Sequence, residues 1–177
     1  NVGRYLKARN LVPAYVYAAP LKRTTETAKL AIAALEKDIP LEMDDSFVEI
    51  DYGPDENKTE DEVIARIGQE AIDKWNKEAI APDGWKVSVD GIIKAWQNFA
   101  AKVEKQHKNQ NILVVSSNGI IRFAPYLTGD FKKFTAERDI KVGTGSVCVF
   151  EKEDGAENWT CTEWNTKPKD YFKAQEM

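Results

Sequence analysis

Two kinds of hydrophobic pattern alternate along this chain. Short apolar runs occur at Ala14–Ala18 and Ile112–Ser116, and runs of this length between polar residues are typical of strands. Longer stretches repeat their apolar residues every three or four positions, which indicates amphipathic helices. Because strands alternate with helices, the pattern predicts an α/β fold, a three-layer α/β/α sandwich with a mostly parallel central sheet. The run at Ile112–Ser116 lacks polar alternation, so we expect a central strand that is buried on both faces.

Three helices with apolar stripes are predicted, and a further helix, kinked by or beginning near Pro125, is expected after the turn Ser117-Asn118-Gly119. The first begins at Pro20, where a missing N–H costs little. The second follows Thr59, which forms a capping box with Glu62, and it is interpreted as one helix that reaches Trp75. The apolar stripes of the three helices are Leu21, Ala28, Ala31, Ile32 and Leu35; Val63, Ile64, Ile67, Ala71, Ile72 and Trp75; and Val89, Ile92, Ile93, Trp96, Phe99, Ala100 and Val103.

A hairpin is predicted near the C-terminus, with strands at Ser146–Phe150 and Trp159–Trp164 and a turn at Asp154-Gly155. In that register Cys148 and Cys161 face each other across the hairpin. We interpret them as two reduced thiols, with a cross-strand disulfide as the alternative. Residues 167–177 are predicted to form a charged tail.

Length and composition fit one domain over residues 1–177 with a proper core. Hydrophobic residues make up 42% of the chain and charged residues 31%, an ordinary globular balance. The net charge of −4 argues against a broad surface for nucleic acids or anionic membranes, and no apolar run approaches the ~20 residues of a membrane span. We therefore expect a cytoplasmic protein without nucleic-acid or membrane partners, whose oligomeric state the pattern leaves open.

The first ten residues carry no signal-peptide pattern. The chain starts without Met, and Val2–Arg9 has the pattern of the end of a helix. We therefore expect further residues upstream of Asn1.

Two arginines follow predicted strands directly. Arg23 lies in the first turn of the helix after Ala14–Ala18, where a cation opposes the helix dipole. A bound anion at that helix end would explain it. Arg122 follows Ile112–Ser116 in the same way. Since ligands of open α/β sheets bind at the carboxyl ends of strands, one hypothesis is a shared anion site, and the alternative is two surface cations with apolar stems.

Glu49 lies between apolar neighbours, where a carboxyl group can acquire a raised pKa and act as a general acid; the alternative is a turn cap or an arginine partner. Its surroundings are acidic, but their spacing shows no clear set of metal ligands, and no metal or cofactor is predicted. His107, the only histidine, is interpreted as a solvated residue in a helix's last turn. Gly143-Thr-Gly145 lacks the third glycine of a dinucleotide-binding loop. The five tryptophans are interpreted as core and edge aromatics.

Four segments together resemble the histidine phosphatase superfamily, the group that includes cofactor-dependent phosphoglycerate mutases. Three of them carry candidate site residues: Tyr17-Ala-Ala-Pro-Leu-Lys-Arg-Thr-Thr-Glu-Thr-Ala28, Val48-Glu-Ile-Asp-Tyr-Gly53 with Glu56, Lys58 and Thr59, and Val114-Val-Ser-Ser-Asn-Gly-Ile-Ile-Arg122. The fourth is Trp164-Asn165. Their order and spacing span nearly the whole chain, and the first segment is the most specific.

The resemblance implies a phosphohistidine mechanism, in which the histidine of an N-terminal Arg-His-Gly motif attacks a phosphoryl group. Arg23 matches a phosphate-binding arginine of the family and Glu49 its acid/base glutamate. The turn Ser117–Gly119 matches the segment of the family's second histidine, so Ser117, Asn118 and Gly119 are expected to contact phosphate, with Ser117 in the place of that catalytic histidine.

Two departures from the family pattern affect the expected function. The Arg-His-Gly motif does not occur in residues 1–177, and Ser117 brings no positive charge. Losing one charge-assisted contact can cost roughly 2–4 kcal/mol of transition-state stabilisation. The resemblance therefore implies a phosphomonoester phosphatase whose first strand and nucleophile both lie upstream of Asn1. The alternatives are a silent member that binds a phosphorylated ligand, a domain that keeps only the fold, and a mutase-like phosphoryl transferase.

Overall fold

The computed structural model describes residues 1–177. Its helices are α1 (Val2–Ala8), α2 (Lys22–Leu35), α3 (Glu60–Ile67), α4 (Gln69–Glu78), α5 (Val89–Gln106), α6 (Asn118–Ile121), α7 (Phe131–Glu137) and α8 (Pro168–Gln175). Its strands are β1 (Tyr15–Ala18), β2 (Leu41–Met43), β3 (Ile112–Val115), β4 (Val147–Glu151) and β5 (Thr160–Thr166). Short 3₁₀ helices occupy Asp45–Phe47, Gly53–Asp55 and Ala124–Thr128.

Three strands form a parallel sheet in the order β2-β1-β3. Val16 pairs with Leu41 on one side and with Leu113 on the other. Parallel neighbours need crossover connections, and α2 supplies the one between β1 and β2. The predicted α/β class with parallel strands flanked by helices is therefore confirmed.

Alternating side chains of β1 place helices on both faces of this sheet. Val16 and Ala18 pack in a cluster with Tyr5 of α1 and Ala28 of α2. Tyr17 points the other way, and its ring centroid lies 5.1 Å from that of Phe99 in α5. The three layers are therefore α1 with α2, the sheet, and α5, so helices cover both faces of the sheet.

The interpretation of Ile112–Ser116 as a central strand is wrong in this structure. β3 pairs only with β1, so it lies at an edge of the sheet. All four of its residues are half-buried, although Ile, Leu and Val are among the residues most often fully buried.

The predicted single helix after Thr59 is two helices. The capping box at Thr59 and Glu62 is present, but α3 ends at Gly68, whose φ of 88° and ψ of 158° are far from helical values. Gly68 also precedes α4 directly. Only glycine adopts this backbone region readily, so the glycine divides a stripe whose period alone predicted one helix.

The C-terminal hairpin exists, but its turn and register differ from the prediction. β4 and β5 are joined by residues 152–159, not by a two-residue turn. Cys161 lies opposite Phe150, so the expected Cys148–Cys161 pairing is wrong. Both cysteines are free thiols, as the first interpretation expected, and burial raises the pKa of the Cys148 thiol to about 12.

The expected charged tail is largely helical. α8 begins at Pro168 and packs its aromatic side against α1. The rings of Tyr171 and Tyr5 meet edge to face at 5.1 Å, and the Arg4 guanidinium lies 4.8 Å from the centroid of Phe172. Lysines and acids alternate with these aromatics in the sequence and concealed the helical pattern.

Candidate functional site

The turn between β1 and α2 positions Arg23. The Ala19 N–H donates to the Val115 carbonyl, which ties this turn to the end of β3. The Thr24 hydroxyl donates to the Ala19 carbonyl at 2.6 Å and contacts the Leu21 carbonyl at 2.9 Å. No side chain caps the start of α2, so the dipole end beside Arg23 is open to an anion.

Arg23 and Glu49 meet in the structure. Arg23 Nη2 lies 3.3 Å from Glu49 Oε2. The Arg23 side chain is 66% exposed, whereas that of Glu49 is 17% exposed. An exposed pair of this kind contributes little to stability, so the arginine can turn from the carboxylate to a bound anion at small cost.

Backbone contacts bring Glu49 to the end of β3. The Ser116 hydroxyl donates to the Phe47 carbonyl at 2.9 Å, and Glu49 Oε1 accepts from the Ile50 N–H at 2.9 Å. A Cβ at Gly119 would clash with Glu49 Oε1, so a larger residue at this position would displace the carboxylate. Gly119 therefore makes room for the carboxylate beside the turn.

Ser117 and Asn118 differ in what their side chains do. Ser117 Oγ is buried and has no hydrogen-bond partner within the protein, an uncommon state that a ligand would relieve. Asn118 Oδ1 accepts from the Val142 N–H at 2.8 Å. Asn118 thus anchors the loop before β4, and only its amide nitrogen remains to donate to a ligand.

Arg122 is a buried arginine and not a surface cation. It is fully buried and stacks on Trp75, with its Cζ 3.9 Å from the ring centroid. Its Nη1 donates to the Trp75 carbonyl at 2.8 Å, while Nη2 has no partner. Burial lowers the pKa of Arg122 to about 10, and the nearby Tyr52 and Glu49 counteract that shift. The interpretation of Arg122 as a surface cation is therefore wrong, whereas its part in a shared anion site stays a prediction.

Tyr52 is a site residue that sequence reasoning missed. A Cβ on Gly119 would lie 3.0 Å from the Tyr52 hydroxyl oxygen. The phenol and the Glu49 carboxylate therefore both lie next to Gly119. Burial, and secondly the Glu49 charge, raise the pKa of Tyr52, which keeps the phenol neutral and able to donate. The signal was the aromatic residue three positions after Glu49.

Trp85 packs against Tyr52, and Asp55 fixes the position of Trp85. The rings of Tyr52 and Trp85 meet edge to face at 4.8 Å, and Trp85 Nε1 donates to Asp55 Oδ2 at 2.7 Å. Arg66 Nε donates to Asp55 Oδ1 at 2.6 Å. The hydrogen bonds from Arg66 and Trp85 outweigh burial and lower the pKa of Asp55. One buried carboxylate therefore joins α3 to the two loops beside the site.

The acidic residues around Asp55 do not form a metal centre. No group of three or more His, Cys, Asp or Glu side chains is close enough to hold a metal ion.

No helix has the length and apolar character required to cross a membrane.

His107 lies away from the site, but it is not merely solvated. It ends α5 before β3 begins, whereas Ser117 follows β3, so the two lie at opposite ends of that strand. Its Nε2 is 2.9 Å from the Tyr17 hydroxyl, and its ring packs on Tyr15 at 5.1 Å. The site formed by Arg23, Glu49 and Ser117 therefore contains no histidine from residues 1–177.

The family model of the histidine phosphatase superfamily, branch 1, matches residues 1–167. The chain belongs to this superfamily, whose phosphoglycerate mutase-like fold it shares. A search of curated proteins gives no match.

Several solved structures share the fold at low sequence identity, and two of the three described below are phosphatases by name. A mycobacterial glucosyl-3-phosphoglycerate phosphatase has a TM-score of 0.74 and 15% identity, over 94% of this chain and 83% of that one. Protein YhfR of Bacillus stearothermophilus has a TM-score of 0.71 and 20% identity, over 93% and 79%. A mutant phosphoserine phosphatase from Entamoeba histolytica, in complex with phosphoserine, has a TM-score of 0.66 and 22% identity, over 93% and 78%.

Proposed function

We propose that this protein is a phosphomonoester phosphatase that acts through a phosphohistidine intermediate. The observation that carries the proposal is the meeting of Arg23, Glu49 and the unpartnered Ser117 hydroxyl at one end of the sheet, where all three line one cavity. An exposed guanidinium and a free hydroxyl can donate hydrogen bonds to the oxygens of a phosphate monoester. A carboxyl group beside them can give a proton to the leaving oxygen. Phosphatases of similar fold support small phosphorylated molecules as the substrate class.

The proposed roles combine this geometry with the mechanism that the family resemblance implies. The Arg23 guanidinium leaves Glu49 and binds two phosphate oxygens, and the Ser117 hydroxyl donates to a third. A histidine nitrogen attacks phosphorus while the bond to the leaving oxygen breaks, and protonated Glu49 gives its proton to that oxygen. Water then attacks the phosphohistidine, Glu49 takes a proton from the water, and phosphate and free histidine result.

The nucleophile of this proposal lies on a segment ahead of Asn1. The only histidine of residues 1–177, His107, is bonded to Tyr17 at the other end of β3. We also propose a cytoplasmic location, which the two free thiols support.

A silent phospho-ligand-binding protein is the second candidate, and Ser117 favours it. The hydroxyl supplies one hydrogen bond and no positive charge, so binding of phosphate is less affected than stabilisation of the transition state, where a preorganised charged donor contributes most. A mutase-like transferase would suffer from the same loss in each of its transfer steps.

The first experiment measures phosphate binding by the chain. Inorganic phosphate or vanadate should raise the melting temperature of wild type, and Arg23→Ala should abolish the shift. Lys22→Ala is the matched control, because Lys22 is also an exposed cation in the first turn of α2. No shift in wild type would leave only a structural role for the fold.

The second experiment separates catalysis from binding. Hydrolysis of p-nitrophenyl phosphate is measured for the protein together with the residues that its gene encodes before Asn1. Arg23→Ala should lower kcat/KM roughly 10- to 100-fold, as loss of a charge-assisted hydrogen bond does, and Lys22→Ala should not. Phosphate binding without turnover would favour the silent protein, and equal rates for wild type and Arg23→Ala would overturn the role of Arg23.

A further inference from the structure

Three stretches of backbone beside Ser117 are joined by side-chain hydrogen bonds. They are the turn after β3, the loop before β4 and the end of β5. Asn118 Oδ1 accepts from the Val142 N–H at 2.8 Å, and Asn165 Oδ1 accepts from the Gly143 N–H at 2.8 Å. Two asparagine side chains therefore fix the loop before β4 between the turn that carries Ser117 and the end of β5.

Lys167 follows β5 directly, and its side chain extends to this loop. A Cβ on Gly143 would lie 3.6 Å from Lys167 Cε, so the end of the lysine stem lies over the glycine. The side chain is exposed, and none of the ion pairs of residues 1–177 includes it. The charge of Lys167 is therefore free to meet an anion.

Ser146 places a second donor beside Gly143. Its Oγ would lie 3.3 Å from a Cβ on Gly143, and it is buried without a hydrogen-bond partner within the protein. Ser117 Oγ is in the same state, and both serines line the cavity that Arg23 also lines. Because buried polar groups without partners are uncommon, two such hydroxyls in one cavity favour a ligand that accepts hydrogen bonds.

The charges that residues 1–177 bring to the candidate phosphate site are nearly balanced. Arg23 is paired with Glu49, so their charges cancel while both are ionised, and Ser117 contributes none. Arg122 is buried against Trp75 and does not line the cavity. A phosphate monoester carries about 1.5–2 negative charges near pH 7. A further cation would therefore strengthen its binding.

We propose that Lys167 is a phosphate-binding residue of this site, whose ammonium group contacts a phosphoryl oxygen beside the Ser146 hydroxyl. The inference rests on the proposed function and adds that the positive charge that Ser117 does not provide comes from the end of β5. A lysine suits this task because its compact charge sits on a flexible stem, which can cross Gly143. Arg23 then holds the anion from the side of the parallel sheet, and Lys167 holds it from the side of the C-terminal hairpin.

Binding of inorganic phosphate, measured by isothermal titration calorimetry, tests the role of Lys167. Lys167→Met keeps the length of the side chain and removes its charge, so it should raise the Kd about tenfold, as loss of a charge-assisted hydrogen bond does. Lys167→Arg keeps the charge and should stay within about threefold of wild type. Lys169→Met is the matched control, because Lys169 is an exposed cation of α8. It should change the Kd by less than about twofold, since salt screens exposed charges that do not touch the anion.

Ionic strength separates a direct contact from a structural effect of the substitution. The ratio of the Kd values of Lys167→Met and wild type should fall as NaCl is raised from about 0.02 M to about 0.5 M, because salt screens exposed charges. Without phosphate the two proteins should melt at the same temperature, since Lys167 has no ion pair to lose. A ratio that is constant with salt, together with a lower melting temperature, would show that the variant disturbs only the end of β5, and would overturn the proposal.

Two further results would also overturn the assignment of Lys167. They are an unchanged Kd in Lys167→Met and an equal loss of affinity in Lys169→Met. Failure of the proposed function looks different, because wild type itself would then bind no phosphate. Phosphate binding that is lost in Arg23→Ala and retained in Lys167→Met would overturn only the role of Lys167.

Discussion

Asp55 is the side chain that joins the loops flanking the site. It is buried and accepts hydrogen bonds from Arg66 and Trp85. Because these bonds hold its pKa below the usual value of about 4, the folded state binds fewer protons than the unfolded state near that pH. Its stabilising contribution is therefore complete above about pH 4 and is lost as pH falls through the lowered pKa.

We predict that Asp55→Asn lowers the melting temperature by several degrees near pH 7, since breaking a buried charged network typically costs about 1–3 kcal/mol. The difference from wild type should shrink below about pH 4, as wild-type Asp55 becomes protonated. Circular-dichroism melts across this range provide the measurement, with Asp154→Asn as an exposed control. A difference that is constant with pH would show that the charge of Asp55 has no part in it.

Single side chains also show which properties of a residue can be predicted from the sequence. Arg23 and Glu49 were identified separately from their positions, and the structure brings them to 3.3 Å, a contact that no spacing could predict. Arg122 was misread because buried arginines are rare and because its partner, the Trp75 carbonyl, is 47 residues away. Local pattern identifies a residue's chemistry, whereas its burial depends on what folds over it.

Among the elements, α3 and α4 make a prediction about whether Gly68→Ala stabilises or destabilises the protein. If residues 60–78 were one helix, replacing Gly68 by Ala would stabilise it by about 1 kcal/mol. In the structure Gly68 has a φ of 88°, and no other part of the protein approaches the position that a Cβ would take there, so the cost of Ala is backbone strain alone. Such strain is about 1–3 kcal/mol.

We therefore predict that Gly68→Ala lowers the free energy of unfolding by about 1–3 kcal/mol, as measured by urea denaturation. Ala65→Gly is the control, because Ala65 lies within α3 and shows the difference between Ala and Gly at a helical position. This variant should lose about 1 kcal/mol in the free energy of unfolding. A Gly68→Ala protein more stable than wild type would mean that the two helices are continuous in solution.

At the scale of the whole molecule, the buried side chains form two clusters. One is centred on Phe47, Trp96 and Phe123, and the other on Tyr5, Val16 and Leu35. The sequence periods predicted most of the elements that build them. They could not predict that β3 lies at an edge, because an apolar run specifies burial and not which neighbour provides it.

α8 stabilises the second cluster, and its removal tests this arrangement. Without residues 168–177, the rings of Tyr171 and Phe172 no longer cover Tyr5 and Arg4, and α1 loses the helix that packs on its outer side. We predict a loss of about 2–4 kcal/mol in the free energy of unfolding, in line with removal of half-buried aromatic side chains, measured by urea denaturation. Removing only Glu176 and Met177, both exposed, should change it by less than about 0.5 kcal/mol. If the longer truncation were equally harmless, α8 would not be docked in solution, and the charged tail expected from its sequence would be the better description.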